Sequence, residues 1–209
     1  MTTPETIAAA LLQAGAVHLQ PDNPFTFASG LRSPIYCDNR LLIGDVAARR
    51  VVIPAFAETC ADAAVVAGTA TAGIPWAAWV AEALALPMAY VRGSAKGHGR
   101  GRQIEGAAVA GQRVMLLEDT ISTGESALAA AAALRDAGAE LVGCVCIFTW
   151  GWQATTQAFA AAKLPLVAIT NLPALLDVAS QAGGLNPAQR VLVADWVADP
   201  QGWAARQGK

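Results

Sequence analysis

The chain has 209 residues, 55% hydrophobic and 14% charged, with a formal net charge of −2. That length suits one well-buried domain. The balance excludes a disordered chain and argues against a nucleic-acid binder that works through overall basic charge.

In chain order, residues 3–14 predict a helix with Thr3 as its cap, Pro4 at its first position and Gly15 as its stop. The leading MTTPETIAAALLQAG has no basic region, so no secretory signal is expected. Residues 21–40 hold turn residues, aromatics and short extended pieces, and predict a small irregular β segment. Residues 45–60 predict a helix, with Pro54 leaving its second half open. Strands are then expected over 63–67, 87–91, 114–117, 141–148 and 166–170. Helices are expected over 74–84, from the turn after 117 to about 137, and over 153–162. A glycine-rich loop is expected over 92–106, and two short helices at the end. The uncharged stretches 63–81 and 141–162 are interrupted by Gly, Thr, Pro and Gln, which fits buried strand–turn–helix units and not membrane spans. Cys37 and Cys60 stand alone, and Cys144 and Cys146 are expected on opposite faces of one strand. With no CxxC pair, reduced thiols in a cytoplasm are expected and a zinc site is not.

Strand–helix alternation with apolar strands predicts an α/β chain with a mostly parallel central sheet and helices on both faces. Ligands of such sheets sit at the carboxyl ends of the strands. After the strand ending at Leu117 the sequence reads EDTISTGES. Two carboxylates, Glu118 and Asp119, can accept hydrogen bonds from sugar hydroxyls. The turn and helix start behind them offer N–H groups and the hydroxyls of Thr123 and Ser126 to a phosphate. Together they describe a cradle for ribose 5-phosphate. The plain alternative is a capped helix after a core strand. In AGTATAGIP, Gly68 and Gly73 frame small residues that let backbone N–H groups approach an anion; a tight turn chosen for packing is the alternative. The segment 92–102 carries Arg92, Lys96, His98, Arg100 and Arg102 and no acid. It suits a polyanion, against the plainer reading of a solvated basic loop. No aromatic is interleaved for stacking on nucleic acid.

LLEDTISTGES resembles the phosphoribosyl diphosphate (PRPP) motif of type I phosphoribosyltransferases. FTFASGLRSPIYCDNR, AGTATAGIPWA and YVRGSAKGHGRGRQIEG are similar to the N-terminal signature, diphosphate loop and catalytic loop of the orotate phosphoribosyltransferase family. The resemblance implies one domain over 1–209, a type I phosphoribosyltransferase fold with a small N-terminal hood mainly from 1–40, and a mobile catalytic loop over 92–106. It implies transfer of phosphoribosyl from PRPP to orotate in pyrimidine synthesis. Asp119, Glu118, Lys96 and His98 would be catalytic. PRPP would meet those four with Arg92, Thr120, Ile121, Ser122, Thr123, Gly124, Glu125 and Ser126, and with Ala70, Thr71, Ala72 and Gly73 at its diphosphate. Ser122 and Tyr36 would hold orotate, with Arg32 a cation near the base; Tyr36 as a core residue is the alternative. Mg²⁺ would bind mainly through PRPP and waters, with no metal-ligating residue of the protein. The resemblance also implies a homodimer with shared sites, and no nucleic acid or membrane. Some relatives carry lysine where Ala72 stands, a basic residue at Gly93, and an acidic or apolar one at Arg100. A phosphoribosyltransferase for another nucleobase and a non-catalytic PRPP sensor remain the alternatives.

Overall fold

The computed structural model describes residues 2–26, 30–93 and 103–206. Helix α1, Pro4–Gln13, starts at Thr3, whose hydroxyl accepts the Thr6 N–H. Four short strands follow: β1 Val17–Leu19, β2 Phe25–Thr26, β3 Arg32–Ser33 and β4 Ile35–Cys37. They pair antiparallel as β1 with β4 and β2 with β3, and make the hood. Helix α2, Leu41–Gly44, leads into α3, Val46–Thr59. Asp45 caps α3 by accepting from the N–H groups of Ala47 and Ala48. The helix runs on through Pro54. The proline stands on the exposed side, while Val52, Ala55 and Phe56 around it bury their side chains, and that burial holds the turn in place.

The main units are β5 Val65–Thr69, α4 Gly73–Leu84, β6 Met88–Val91, β7 Ile104–Gly106, β8 Arg113–Ile121, α5 Glu125–Asp136, β9 Glu140–Thr149, α6 Gln153–Ala161 and β10 Leu166–Asn171. The sheet order is β10-β9-β8-β5-β6-β7. All neighbours are parallel except β7, which runs antiparallel to β6. The expected loop over 92–106 therefore ends in a strand: Ile104 and Gly106 pair with Val91 and Ala89. Three helices close the chain where two were expected: α7 Leu172–Gln181, α8 Pro187–Ala198 and α9 Pro200–Arg206.

Period-two alternation gives the sheet two apolar faces. Val66, Met115, Leu117, Val145 and Ile147 pack with α1, α3, α4 and α7. Val65, Ala67, Val114, Leu116, Cys144 and Cys146 pack with α5 and α6. Cys144 and Cys146 thus share one face. The expectation of opposite faces was wrong, because side chains two apart on a strand return to the same side. All four cysteines are free thiols. Among the described residues no helix is long and apolar enough to cross a membrane.

Candidate active site

The parallel strands β5, β8 and β9 end together at one edge, and β8 outruns β5. Its pairing with β5 stops at Gly68–Leu117, whereas its pairing with β9 continues to Ile121. Glu118 and Asp119 sit on that overhang. Glu118 is 5% exposed. Its Oε1 accepts the Asp119 N–H at 3.1 Å and its Oε2 accepts the Ser126 hydroxyl at 3.5 Å. Burial, and then the charge of Asp119, push the Glu118 carboxyl up to about 8. Thr69 at the end of β5 draws it the other way, although its buried hydroxyl stands outside hydrogen-bond geometry. Burial raises Asp119 as well, opposed first by the Thr120 N–H, which donates to Oδ1 at 2.6 Å, and more weakly by Glu118 and by the charge of Arg40. Burial and the neighbouring carboxylate together favour a proton on Glu118, as a like charge beside a buried carboxyl does.

Ser122 and Thr123 are exposed in the turn beyond β8, and Ile121 is buried at 1% exposure. Only the backbone of Ile121 can meet a ligand. Gly124 precedes α5 at φ +84°, and a Cβ there would lie 2.5 Å from the Phe159 ring. Glycine is needed on both counts. Helix α5 has no side-chain cap, so the capped-helix alternative is removed. Helices α4 and α6, which open on the same edge, also lack one. By contrast α1, α3, α7 and α8 are capped by Thr3, Asp45, Asn171 and Asn186.

Packing accounts for both glycines of the β5–α4 loop. A Cβ on Gly68 would lie 2.6 Å from the Gly73 carbonyl oxygen, and one on Gly73 would lie 2.4 Å from that of Leu117. Their close approach brings Ala70, Thr71 and Ala72 beside the acid pair, with Thr71 exposed. The Ala70–Thr71 peptide is cis. The Ala70 N–H donates to the Val91 carbonyl at 2.8 Å, which ties this loop to the end of β6 and so to Arg92. Arg92 exchanges hydrogen bonds with Gln103 and faces Glu105 at 3.8 Å. Lys96, His98, Arg100 and Arg102 lie outside the described residues.

The hood stands over this edge. Tyr36 is 37% exposed, so it is not a core residue, and its ring lies 5.9 Å from Phe25. Arg32 O accepts the Trp196 indole N–H at 2.9 Å, which seats the hood on α8. Two residues missed by sequence reasoning join the site to its surroundings. Asn39 is 1% exposed and donates from Nδ2 to Asp119 O at 3.2 Å and Thr120 Oγ1 at 2.9 Å. Thr155 on α6 donates to the Ser122 carbonyl at 2.6 Å. Asn39 lies within the N-terminal signature over 25–40, which assigns it no role, and Thr155 lies in no motif.

Residues 49–157 match the phosphoribosyl transferase domain family. The chain is 49% identical over 203 residues to the orotate phosphoribosyltransferase of Bacillus caldolyticus, covering 95% of this chain and 98% of that one. It superposes on the orotate phosphoribosyltransferase of Aeropyrum pernix with a TM-score of 0.73 at 32% identity, over 86% of this chain and 99% of the other. A Mycobacterium tuberculosis orotate phosphoribosyltransferase in complex with 5-phospho-alpha-D-ribosyl 1-diphosphate gives a TM-score of 0.66 at 28% identity, over 82% and 99%. With this fold, this edge and these relatives, the chain belongs to the phosphoribosyltransferase family and, within it, to the orotate phosphoribosyltransferases.

Proposed function

We propose that this chain transfers the phosphoribosyl group of PRPP to orotate, forming orotidine 5′-monophosphate and diphosphate for pyrimidine nucleotide synthesis. The observation that carries the site assignment is the acid pair on the overhang of β8, Glu118 buried and Asp119 half-buried, set between two helix starts that no side chain caps. The uncapped start of α5 suits one anionic end of the donor. At α4 the Ile74 N–H is bonded to the Thr71 carbonyl and Pro75 has none, so the diphosphate must rely on the loop before it and on the 92–102 cations. Thr120, Ile121, Ser122, Thr123, Gly124, Glu125 and Ser126 surround its ribose 5-phosphate, Ile121 through its backbone. Ala70, Thr71, Ala72 and Gly73 receive the diphosphate, with Arg92, Lys96 and His98. Tyr36 and Ser122 flank orotate.

In the transfer, orotate N1 gives up its proton to water and forms a bond to the anomeric carbon, while the carbon–oxygen bond to diphosphate breaks, its electron pair leaving with diphosphate. Positive charge grows on the ribose ring. The Asp119 carboxylate stabilises it, and the cations of the 92–102 segment meet the charge on the leaving group. Glu118, protonated, can donate to or accept from a ribose hydroxyl. No residue need act as a nucleophile.

Among the described residues no three His, Cys, Asp or Glu side chains gather as a metal site. In the proposed reading magnesium would be held mainly through PRPP oxygens and waters, with no ligating residue of the protein required. When bound with PRPP it would neutralise diphosphate charge. The reading includes a cytoplasmic setting, favoured by the four free thiols, and a symmetric homodimer in which the 92–106 segment of each chain serves its neighbour. Incubation with orotate, PRPP and magnesium should consume orotate and release diphosphate in equal amounts. Absence of turnover would overturn the reaction.

A further inference from the structure

Asn39 belongs to the hood by sequence and to the acid pair by contact. Where the β5 ladder stops at Leu117, its side-chain amide takes over beside β8, bonding across 80 and 81 positions of sequence to Asp119 O and Thr120 Oγ1. Its own Oδ1 accepts the Cys37 thiol at 3.4 Å. Burial, and then the charges of Asp119 and Asp38, hold that thiol up at about 12, so it stays a donor. Both amide hydrogens and the carbonyl are thereby engaged, which fixes the orientation of the amide. Aspartate cannot replace it, because a carboxylate offers no N–H to Asp119 O. An apolar side chain would leave a buried carbonyl unpaired.

The neighbours of Asn39 lie on the base side of the site. Tyr36 is on β4, three residues before it, and the Asp38 N–H bonds to Ala16 O. Asp38 itself is held by Arg40 through contacts of 2.7 and 2.8 Å. A shift of the hood is therefore felt at Asp119 through one rigid amide.

We propose that Asn39 is a positioning residue, which locks the hood to Asp119 and Thr120 and so sets the ribose acids in register with the base. It rests on the reading of Glu118 and Asp119 as ribose-facing acids. The positional demand is steep, since a misplacement of about 1 Å can cost ~100-fold in rate.

The test is a cycle of N39A, T120V and the double variant. PRPP affinity is measured by calorimetry with magnesium and no base, alongside steady-state kcat and KM. N39A should weaken PRPP binding about tenfold and lower kcat as well, on the scale that misplacement gives. A merely structural role would reduce the folded fraction and leave the Kd of that fraction unchanged. In the T120V background, where one of the two bonds is already lost, N39A should cost a smaller factor in Kd than in the wild type. An unchanged Kd, or equal factors in both backgrounds, would overturn the proposal. If N39A does not fold, N39S takes its place in the same cycle and is read the same way. A wild-type chain that binds PRPP but does not consume orotate would sink the proposed reaction and leave the role of Asn39 to the Kd values.

Discussion

Burial raises the half-buried Asp119 carboxyl, and the Thr120 N–H, the neighbouring Glu118 and Arg40 oppose that rise only in part. Asp119→Asn keeps an oxygen for the Thr120 N–H and removes the charge. Turnover should fall by about 10²–10³-fold, with the thermal unfolding midpoint little changed; near-normal turnover in the folded variant would remove Asp119 from the chemistry. Glu118 behaves differently. Its carboxyl is raised from 4.5 to about 8, so the folded chain keeps a proton that the unfolded chain releases in that window. Stability from this group is full below about pH 4.5, falls as pH rises, and levels off above about pH 8. Glu118→Gln has no such proton to lose. Its unfolding midpoint should gain on the wild type from about pH 5 and pull furthest ahead near pH 8, while activity drops, a trade typical of active-site charges. Parallel pH profiles for the two proteins would contradict the buried, proton-holding Glu118. At this scale the acid pair and the STG turn were legible because their chemistry lies in consecutive residues. Asn39 and Thr155 were not. Beside Asp38, an asparagine reads as a turn residue, and its partners are 80 and 81 residues away. Thr155 reads as an ordinary position on a helix, and its partner is 33 residues away.

The site depends on how closely β5, α4 and β8 approach one another. Gly73→Ala would set a methyl 2.4 Å from the Leu117 backbone oxygen, and backbone cannot swing aside as a side chain can. It should cost about 1–3 kcal/mol of stability, the usual price of overpacking, and weaken PRPP binding because α4 is pushed off the acid pair. Gly44→Ala meets open space and should leave both unchanged. Chemical denaturation of the two variants checks the contrast; equal effects would contradict the close approach. The strands were legible to within a few residues, since their apolar runs are bounded by Gly, Pro and charge. The carboxyl end of β8 was not, because Glu118, Asp119 and Thr120 look like loop residues, yet β9 pairs with them as far as Ile121. Strand β7 was hidden because Ile104–Gly106 is too short to show a period. Helix α9 was hidden because its seven residues bury one large side chain, Trp203. Helix α3 tolerates Pro54 through burial on its inner face, which local propensity does not see.

At the scale of the molecule, the proposed reading puts the donor at the sheet edge and the base under the hood. The hood is seated by Trp196 on α8 and by Asn39 on β8. Alternation of strands and helices made the sheet legible. The seating of the hood depends on contacts between chain ends, which no local pattern encodes. The proposed homodimer has a direct test. If Lys96 serves the neighbour's site and Asp119 its own, Lys96→Ala and Asp119→Asn chains should complement when mixed. Each mixed dimer would hold one site with both defects and one with neither, so random exchange should restore roughly a quarter of wild-type activity by two-fold symmetry. No recovery after verified subunit exchange would show that Lys96 acts within its own chain or that the dimer does not form.

In the proposed reaction this carboxyl edge transfers phosphoribosyl to orotate and to no other base at comparable rate. It is tested most directly by initial rates of diphosphate release from PRPP and magnesium with orotate, uracil, adenine, guanine and hypoxanthine supplied one at a time. Orotate should be used with kcat/KM at least about 100-fold above any other base, the margin expected when a site built to pair polar groups meets analogues that leave them unpaired. A higher or equal rate with another base, or none with orotate, would exclude orotate as the acceptor this site is built for.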